Sequence, residues 1–489
     1  MPEVHLDDTI AALATPPGVG GIGVIRLSGQ EAISIAEQMF RKKNSVKEES
    51  TRVGAPLVGA RDSEKPVDGR VQDPPLRTAP SHTIHYGHVY DREGEVVDQV
   101  LLSIFRTPKS YTGEDVIEIS GHGGMKVLKS ILDLSLSYGA RQAEPGEFTR
   151  RAFLNGRMDL SQAEAVLDLI RAKTDRSQDL AVKQLQGKLS KEIRDIKEDL
   201  MKLYAHLEAY LDFPDEDLEV YQNADFIKKF DRARKRLSAL AKTYAKGAIQ
   251  REGALVVIVG RPNVGKSSLL NTLLDRDRAI VSEVPGTTRD TLEESIDLGG
   301  LWVRLVDTAG LEKSSDALTQ AGMDRTRQYL ENGDLFLWVL DASENLTEED
   351  RRIAKELSGK RVIVVQNKID KGTDKWQADE LSVPLSQLVK ASQKTREGID
   401  QLENEIQTAI LKDEIAEESI LITRLRHKRA IEASLESLKR SEAAMREKAS
   451  LELVTVDLKQ ALDALSEFVG EIYSEDLLDV IFGEFCIGK

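Results

Sequence analysis

Apolar residues in this chain follow three rhythms, and the changes of rhythm divide it. From Thr9 to about Asn155, short apolar runs (Gly23 to Leu27, Gln99 to Phe105, Asp115 to Ile119) alternate with segments of helical spacing (Glu31 to Phe40, Met125 to Ser137). That mixture predicts an α+β domain. After Asn155-Gly156 apolar positions recur in steps of three and four at Leu185, Leu189, Ile193, Ile196, Leu200, Leu203, Leu207 and Leu211, the spacing of long amphipathic helices. Ser161-Gln162-Ala163-Glu164 reads as a capping box that opens this helical region. The break Phe213-Pro214-Asp215-Glu216-Asp217 ends one helix, and a further one is expected from about Phe226 to Ile249. Between about Gly253 and Leu411 the pattern turns to buried strands (Leu255 to Val259, Trp302 to Val306, Leu335 to Leu340, Arg361 to Val365). Helical register then returns from Ile420 to Ser441 and from Leu451 to Phe468. The mixed segment thus interrupts a helical domain, which gives the division 1–155, 156–252, 253–411 and 412–489.

Composition narrows the class. At 489 residues the chain has room for about three domains, each with its own core. The 68 Lys and Arg against 83 Asp and Glu leave a net charge of −15, which argues against broad electrostatic capture of nucleic acid but not against a local basic site. Cys486 is the only cysteine, so no disulfide forms within the chain, and a reducing compartment is expected. No apolar run approaches the roughly 20 residues of a membrane span, and the acidic start resembles no targeting peptide, which predicts a soluble cytoplasmic protein. A Pro-, Gly- and charge-rich stretch from Lys42 to Ser81 reads as a surface insertion.

The strongest chemical signal is Gly260-Arg261-Pro262-Asn263-Val264-Gly265-Lys266-Ser267, a complete G-x-x-x-x-G-K-[ST] phosphate loop between a strand and a helix. Its backbone amides, with those of Ser268 and the helix start, wrap phosphates; Lys266 reaches the β- and γ-oxygens and the Ser267 hydroxyl holds Mg²⁺. Thr288, in Gly286-Thr287-Thr288-Arg289-Asp290, is placed to complete the Mg²⁺ shell. Asp307-Thr308-Ala309-Gly310 follows a strand, with Asp307 behind the metal and the Gly310 amide near the γ-phosphate. Asn367-Lys368-Ile369-Asp370 supplies the base reader: the Asp370 carboxylate accepts from the N1–H and 2-amino group of guanine, a donor pair that adenine lacks. These motifs together predict a GTP-binding P-loop domain.

Weaker patterns are set aside. Gly18-Val19-Gly20-Gly21-Ile22-Gly23 fits a dinucleotide fingerprint but leads into a strand rather than a helix. His82, His85 and His88 lie three apart, which on a strand sends them to opposite faces. The glycine turn after the carboxylate-bearing strand Asp115 to Ile119, Gly121-His122-Gly123-Gly124, opens a helix and reads as a turn. The basic run Arg424-Leu425-Arg426-His427-Lys428-Arg429 reads as a solvated helix face.

With these motifs in place the chain resembles the MnmE, or TrmE, family of tRNA-modifying GTPases nearly end to end. The carriers are A-T-P-P-G-x-G-G-I-G-V-I-R-L-S-G, Y-T-G-E-D-V-I-E-I-S-G-H-G-G, P-G-E-F-T-R-R-A-F-L-N-G-R-M-D-L, D-F-P-D-E-D, the nucleotide motifs and the terminal F-C-I-G-K. The resemblance implies a homodimer joined through N-terminal α+β domains that bind 5-formyltetrahydrofolate or a related folate, and a Ras-like K⁺-dependent GTPase inserted in an all-α domain. It implies a flavoprotein partner (MnmG, or GidA) in a heterotetramer that adds a carboxymethylaminomethyl or aminomethyl group at C5 of the tRNA wobble uridine. By motif position, Arg26, Glu118, Arg157 and Lys489 contact folate, and Asn263 with Ser282, Val284 and Thr287 coordinates K⁺. Ser392-Gln393-Lys394 occupies the guanine-supporting S-A-[KR] slot, where the expected contact is a backbone N–H. The family's water-orienting Glu falls on Thr319. Leu311 stands where Ras-like proteins carry Gln, and Glu312 is the alternative water-orienting residue. In the tail, Phe482 and Phe485 are expected to anchor the chain, Gly483 and Gly488 to bend it, and Cys486 to lie near the folate as a candidate catalytic thiol or a packing residue. Two rival readings remain: an Era- or Obg-type ribosome-assembly switch, and a folate-dependent one-carbon enzyme with a regulatory G domain.

Overall fold

The computed structural model describes residues 8–42, 75–212, 224–277, 293–307, 327–372, 375–376, 381, 388–411 and 420–489. The chain divides into two compact units, residues 1–164 with 470–489, and residues 165–469. Residues 470–489, grouped by sequence with the second helical arm, therefore pack with the N-terminal unit.

The first unit is built on a seven-stranded sheet. Its strands are β1 (Ile10–Leu13), β2 (Gly20–Ser28), β3 (Phe40–Lys42), β4 (Thr83–Tyr90), β5 (Val96–Phe105), β6 (Val116–Gly123) and β7 (Arg141–Gln142), in the order β3-β4-β5-β6-β2-β1-β7. Every pairing is antiparallel except that of β1 with β7. Alternate residues Ile25, Leu27, Leu102, Ile104, Ile117 and Ile119 share one buried face with Leu128 and Ile131 of helix Met125–Ser137. This is the period-2 pattern of a half-covered sheet. The glycine motif at residues 18–23 runs into β2, and the turn at Gly124 starts helix Met125–Ser137.

The sequence places a capping box at Ser161, and the structure moves it two residues upstream. The Asp159 carboxylate accepts from the Gln162 amide N–H at 3.0 Å while the Gln162 side chain accepts from the Asp159 N–H at 3.0 Å. Ser161 lies inside helix Leu160–Arg171. A carboxylate with a Gln three residues on satisfies the same orphan donors as S-x-x-E, and being first in the chain it sets the helix start.

In the second unit, helices Lys188–Asp212, Ala224–Lys242, Leu425–Arg446 and Leu451–Val469 bury one common apolar core. The single helix expected from Phe226 to Ile249 is two, Ala224–Lys242 and Tyr244–Glu252. The joint is at Thr243, whose hydroxyl donates to Leu240 O at 2.7 Å and accepts from Ile422 N at 3.0 Å. The segment that leads into helix Leu425–Arg446 thus meets the chain at the joint between the two helices.

The other layer is a six-stranded sheet, β8 (Ala254–Val259), β9 (Glu293–Leu298), β10 (Leu301–Asp307), β11 (Leu335–Asp341), β12 (Val362–Asn367) and β13 (Leu388–Ala391). Its order is β13-β12-β11-β8-β10-β9, parallel except for β9. β8, β11 and β12 are buried along their whole length, as a sheet covered on both faces requires. In such a sheet the ligand crevice lies at the carboxyl ends of the strands.

Candidate functional site

The nucleotide motifs meet at those carboxyl ends. The phosphate loop follows β8, Asp307 ends β10, Asn367 ends β12, and Ser392 follows β13. The loop is drawn tight from both sides. Lys266, buried, donates to the carbonyls of Gly260 and, at 3.0 Å, Arg261. The Asn367 amide donates to Val264 O at 2.7 Å. Gly265 has φ +103, and a Cβ there would lie 2.4 Å from Asn367 Nδ2, so only glycine fits between loop and base motif. Ser267 Oγ donates to Asp307 Oδ2 at 2.5 Å, which joins the hydroxyl and the carboxylate expected around Mg²⁺. This all-oxygen pair suits a hard cation that keeps waters and takes phosphate oxygens as its other ligands.

The loop expected to read the base is held by side-chain hydrogen bonds. Ser392 Oγ donates to Asp370 Oδ1 at 2.7 Å, fixing one oxygen of the carboxylate expected to read guanine. Lys368, in left-handed conformation at φ +63, donates to Asn263 O and to Asp341 Oδ2, each at 2.7 Å. Asp341 ends β11 almost fully buried. Burial raises its pKa, but hydrogen bonds from Lys368 and Ser343 outweigh this and hold the carboxyl below the ordinary carboxylate range. Behind it, the buried Trp376 donates its indole N–H to Asp341 O at 2.9 Å.

A second constellation lies in the N-terminal unit. Arg26 on β2 faces Glu118 on β6 in register and donates to it at 2.9 Å. The Arg26 guanidinium sits 5.6 Å from the ring centres of both Tyr111 and Phe148 and donates to Gly488 O at 3.3 Å. Lys489 stands beside the pair. Burial first, then the Arg26 charge, lower its pKa, against the pull of Glu118 and Cys486. The tail is held in place by Ile487 bridging to Pro145 and by Gly488, at φ +97, where a Cβ would lie 2.2 Å from Leu13 O.

Two models of known families match the chain, "GTP-binding protein TrmE N-terminus" over residues 9–157 and "MnmE helical domain" over residues 160–486. The chain is 41% identical over 490 residues to the tRNA modification GTPase MnmE of Acetivibrio thermocellus, covering 99% of this chain and 100% of that one. It is 43% identical over 486 residues to that of Natranaerobius thermophilus, with 99% and 100% covered. The chain belongs to the MnmE family of tRNA modification GTPases. Among solved structures, Aquifex aeolicus Era bound to GDP and AlF₄⁻ aligns with 37% of this chain and 66% of its own, at 30% identity and TM-score 0.25.

Measured against the residues expected of a member of the MnmE family, the structure brings Asn263, Val264, Gly265, Lys266, Ser267, Asp307, Asn367, Lys368, Asp370 and Ser392 into one site. Ser268 lies in the first turn of helix Lys266–Asp277, and Lys394 is exposed in the loop after β13. Ser282, Val284, Thr287, Thr288, Thr308, Ala309, Gly310, Leu311, Glu312 and Thr319 lie outside the described residues. Of the folate set, Arg26, Glu118 and Lys489 converge, whereas Arg157 is exposed with its aliphatic stem over Gly113. Cys486 is exposed at the surface. Phe482 and Phe485 are buried as tail anchors, but Gly483 ends helix Glu475–Gly483 without a bend, leaving Gly488 as the residue that turns.

Asp341, which accepts from Lys368, escaped sequence reasoning, and at Ser392, already among the expected residues, the structure adds a hydroxyl hydrogen bond to Asp370. The signal for Asp341 was a carboxylate closing an otherwise apolar strand. The basic run at residues 424–429 is also not the solvated face expected. Arg424 pairs with Asp168 at 2.6 Å, Arg426 donates to the carbonyls of Glu467 and Phe468, and Lys428 lies over Tyr244.

Proposed function

We propose that this chain is a K⁺-dependent GTPase that acts as a homodimer with a flavoprotein partner to place a carboxymethylaminomethyl or aminomethyl group on C5 of the tRNA wobble uridine. GTP hydrolysis in tRNA modification follows from membership of the family. The observation that carries the finer reading is the likeness over the whole chain, including the N-terminal unit and tail that Era- and Obg-type switches replace with other domains. Lys266 would neutralise the β- and γ-phosphate charge, and Ser267 and Asp307, joined by a hydrogen bond, would hold Mg²⁺. Phosphoryl transfer needs little else from the protein than positioning and electrostatic stabilisation. Asn263, with Ser282, Val284 and Thr287, is assigned to K⁺, which would supply a positive charge where an arginine finger lies in other GTPases. Asn263 takes a left-handed turn (φ +66), and its carbonyl accepts from Lys368.

Arg26 and Lys489 offer two cations, Glu118 an acceptor, and Tyr111 and Phe148 aromatic walls. That donor set suits the carboxylates and pterin ring of a folate, which would supply the one-carbon unit when bound. Arg157 is assigned to the same ligand, and Cys486 to the chemistry at the tail.

Nucleoside mass spectrometry of tRNA from a deletion strain tests the proposal. Loss of the C5 modification is expected, and intact wobble uridine modification would overturn it in favour of a ribosome-assembly switch. Exchange of K⁺ for Na⁺ is expected to slow GTP hydrolysis markedly, and equal rates in the two salts would remove the K⁺ assignment.

A further inference from the structure

Helix Ala224–Lys242 carries seven Lys or Arg and two Asp in a chain whose net charge is −15. Its apolar stripe, Phe226, Phe230, Ala233, Leu237 and Leu240, is buried in the helical core. The two flanks beside that stripe are tied down. Arg234 reaches Glu442 on helix Leu425–Arg446, and Arg236 pairs with Glu192 at 2.9 Å and Asp199 at 3.6 Å on helix Lys188–Asp212.

The remaining side of the helix faces outward. Lys228, Arg232, Lys235 and Lys242 recur there at helical spacing, with Ala239 at the one intervening place, and all five are exposed. At the α-helical rise the row is roughly 21 Å long. Among the described residues Asp231 lies beside it, shared between Lys235 at 2.6 Å and Arg234 at 2.7 Å. By contrast, Arg424, Arg426 and Lys428 of the denser basic run are engaged inside the unit. We propose that the row Lys228, Arg232, Lys235 and Lys242 is a docking surface for the phosphate backbone of an RNA. It seats the tRNA by charge and not by base sequence.

The proposal rests on the reading above only in taking tRNA as the RNA. Evenly spaced cations on a rigid rod suit a phosphate chain, because each one that meets a phosphate releases condensed counterions and none needs a particular base. The net negative charge of the chain repels the same polyanion, so one basic face also fixes its orientation. A membrane is the poorer fit. An interfacial helix buries Trp, Phe or Leu in the lipid boundary, whereas the apolar residues of this helix are already in the protein core.

The test is fluorescence anisotropy of an unmodified tRNA transcript with the full-length protein, over salt from about 50 to 200 mM. Replacing all four cations with Gln (K228Q, R232Q, K235Q, K242Q) is expected to weaken binding at least tenfold at the low-salt end. The slope of log K against log salt should flatten by about 0.7 to 0.9 for each phosphate that the variant no longer neutralises. Ala239→Lys fills the gap in the row and should steepen the slope by up to about one such increment. A thermal melt confirms that each variant is folded. Wild-type affinity and slope in the folded fourfold variant would overturn the proposal. So would loss of binding to phosphatidylserine vesicles with tRNA binding unchanged, or no binding of the transcript by the wild-type protein. The last result would leave the modification reading to be decided by nucleoside analysis.

Discussion

Replacing Asp341 is the sharpest probe of how the base-reading motif is held. Its Oδ1 accepts from the Ser343 N–H at 2.9 Å and hydroxyl at 2.6 Å, and its Oδ2 accepts from Lys368 Nζ at 2.7 Å. Asp341→Ala removes all three and leaves the ammonium with Asn263 O alone. Breaking a fully buried ion pair costs about 3–5 kcal/mol. The Lys368 side chain retains 26% of its exposure, so water recovers part of that loss. An expected cost of about 1.5–3 kcal/mol follows. Because Lys368 joins the base loop to the phosphate loop, the cost should appear in nucleotide affinity, as a loss of roughly 10- to 150-fold. Asp341→Asn keeps one acceptor for Ser343 but sets an NH₂ donor against the Lys368 ammonium, so it should lose affinity much as Ala does. The assay is titration of a fluorescent GDP analogue, with Lys368→Met and the double variant completing a cycle. Wild-type affinity in Asp341→Ala, or full additivity with Lys368→Met, would refute the argument.

Three further outcomes are expected. Asp370→Asn turns an acceptor pair into one acceptor and one donor, so GTP should bind more weakly and XTP better; unchanged GTP affinity would mean that Asp370 does not read the base. Gly488→Ala places a Cβ 2.2 Å from Leu13 O at φ +97, adding roughly 1–2 kcal/mol of backbone strain to the clash, so carboxypeptidase should release Lys489 several-fold faster; an unchanged rate would show the tail is not seated on Leu13. Burial raises the pKa of Asp8 and of Glu147, yet hydrogen bonds from Arg141 to both and from Arg151 to Asp8, with the charges of both arginines, hold both carboxyls below their ordinary values. Their contribution is therefore present above the unfolded pKa of about 4 and is lost as pH falls through the folded values. Urea unfolding should show Arg151→Met destabilised by about 3–5 kcal/mol at neutral pH and the gap narrowing in acid. A gap independent of pH would place the loss in packing.

What the sequence determined by itself was everything carried by spacing within a few residues. The phosphate loop, the Asn367-Lys368-Ile369-Asp370 motif and the apolar periods are local patterns whose chemistry is complete in the motif. The strands and long helices consequently stand close to where periodicity put them. Where two local patterns competed, the sequence misjudged the winner: Ser161 fits a capping box, but Asp159 comes first and closes its own with Gln162. Only tertiary structure decided the rest. Thr243, at the helix joint, meets Ile422, and Lys368 is anchored by Asp341. The hydrogen bond from Arg26 to Gly488 spans 462 residues of sequence. The basic residues also divide by packing: Arg424 and Arg426 are held by partners in their own unit, whereas Lys228, Arg232, Lys235 and Lys242 are exposed. A residue's own neighbours fix its backbone preference and its periodicity. Which partner a charge meets depends on chain closure over hundreds of residues, and no local spacing encodes it.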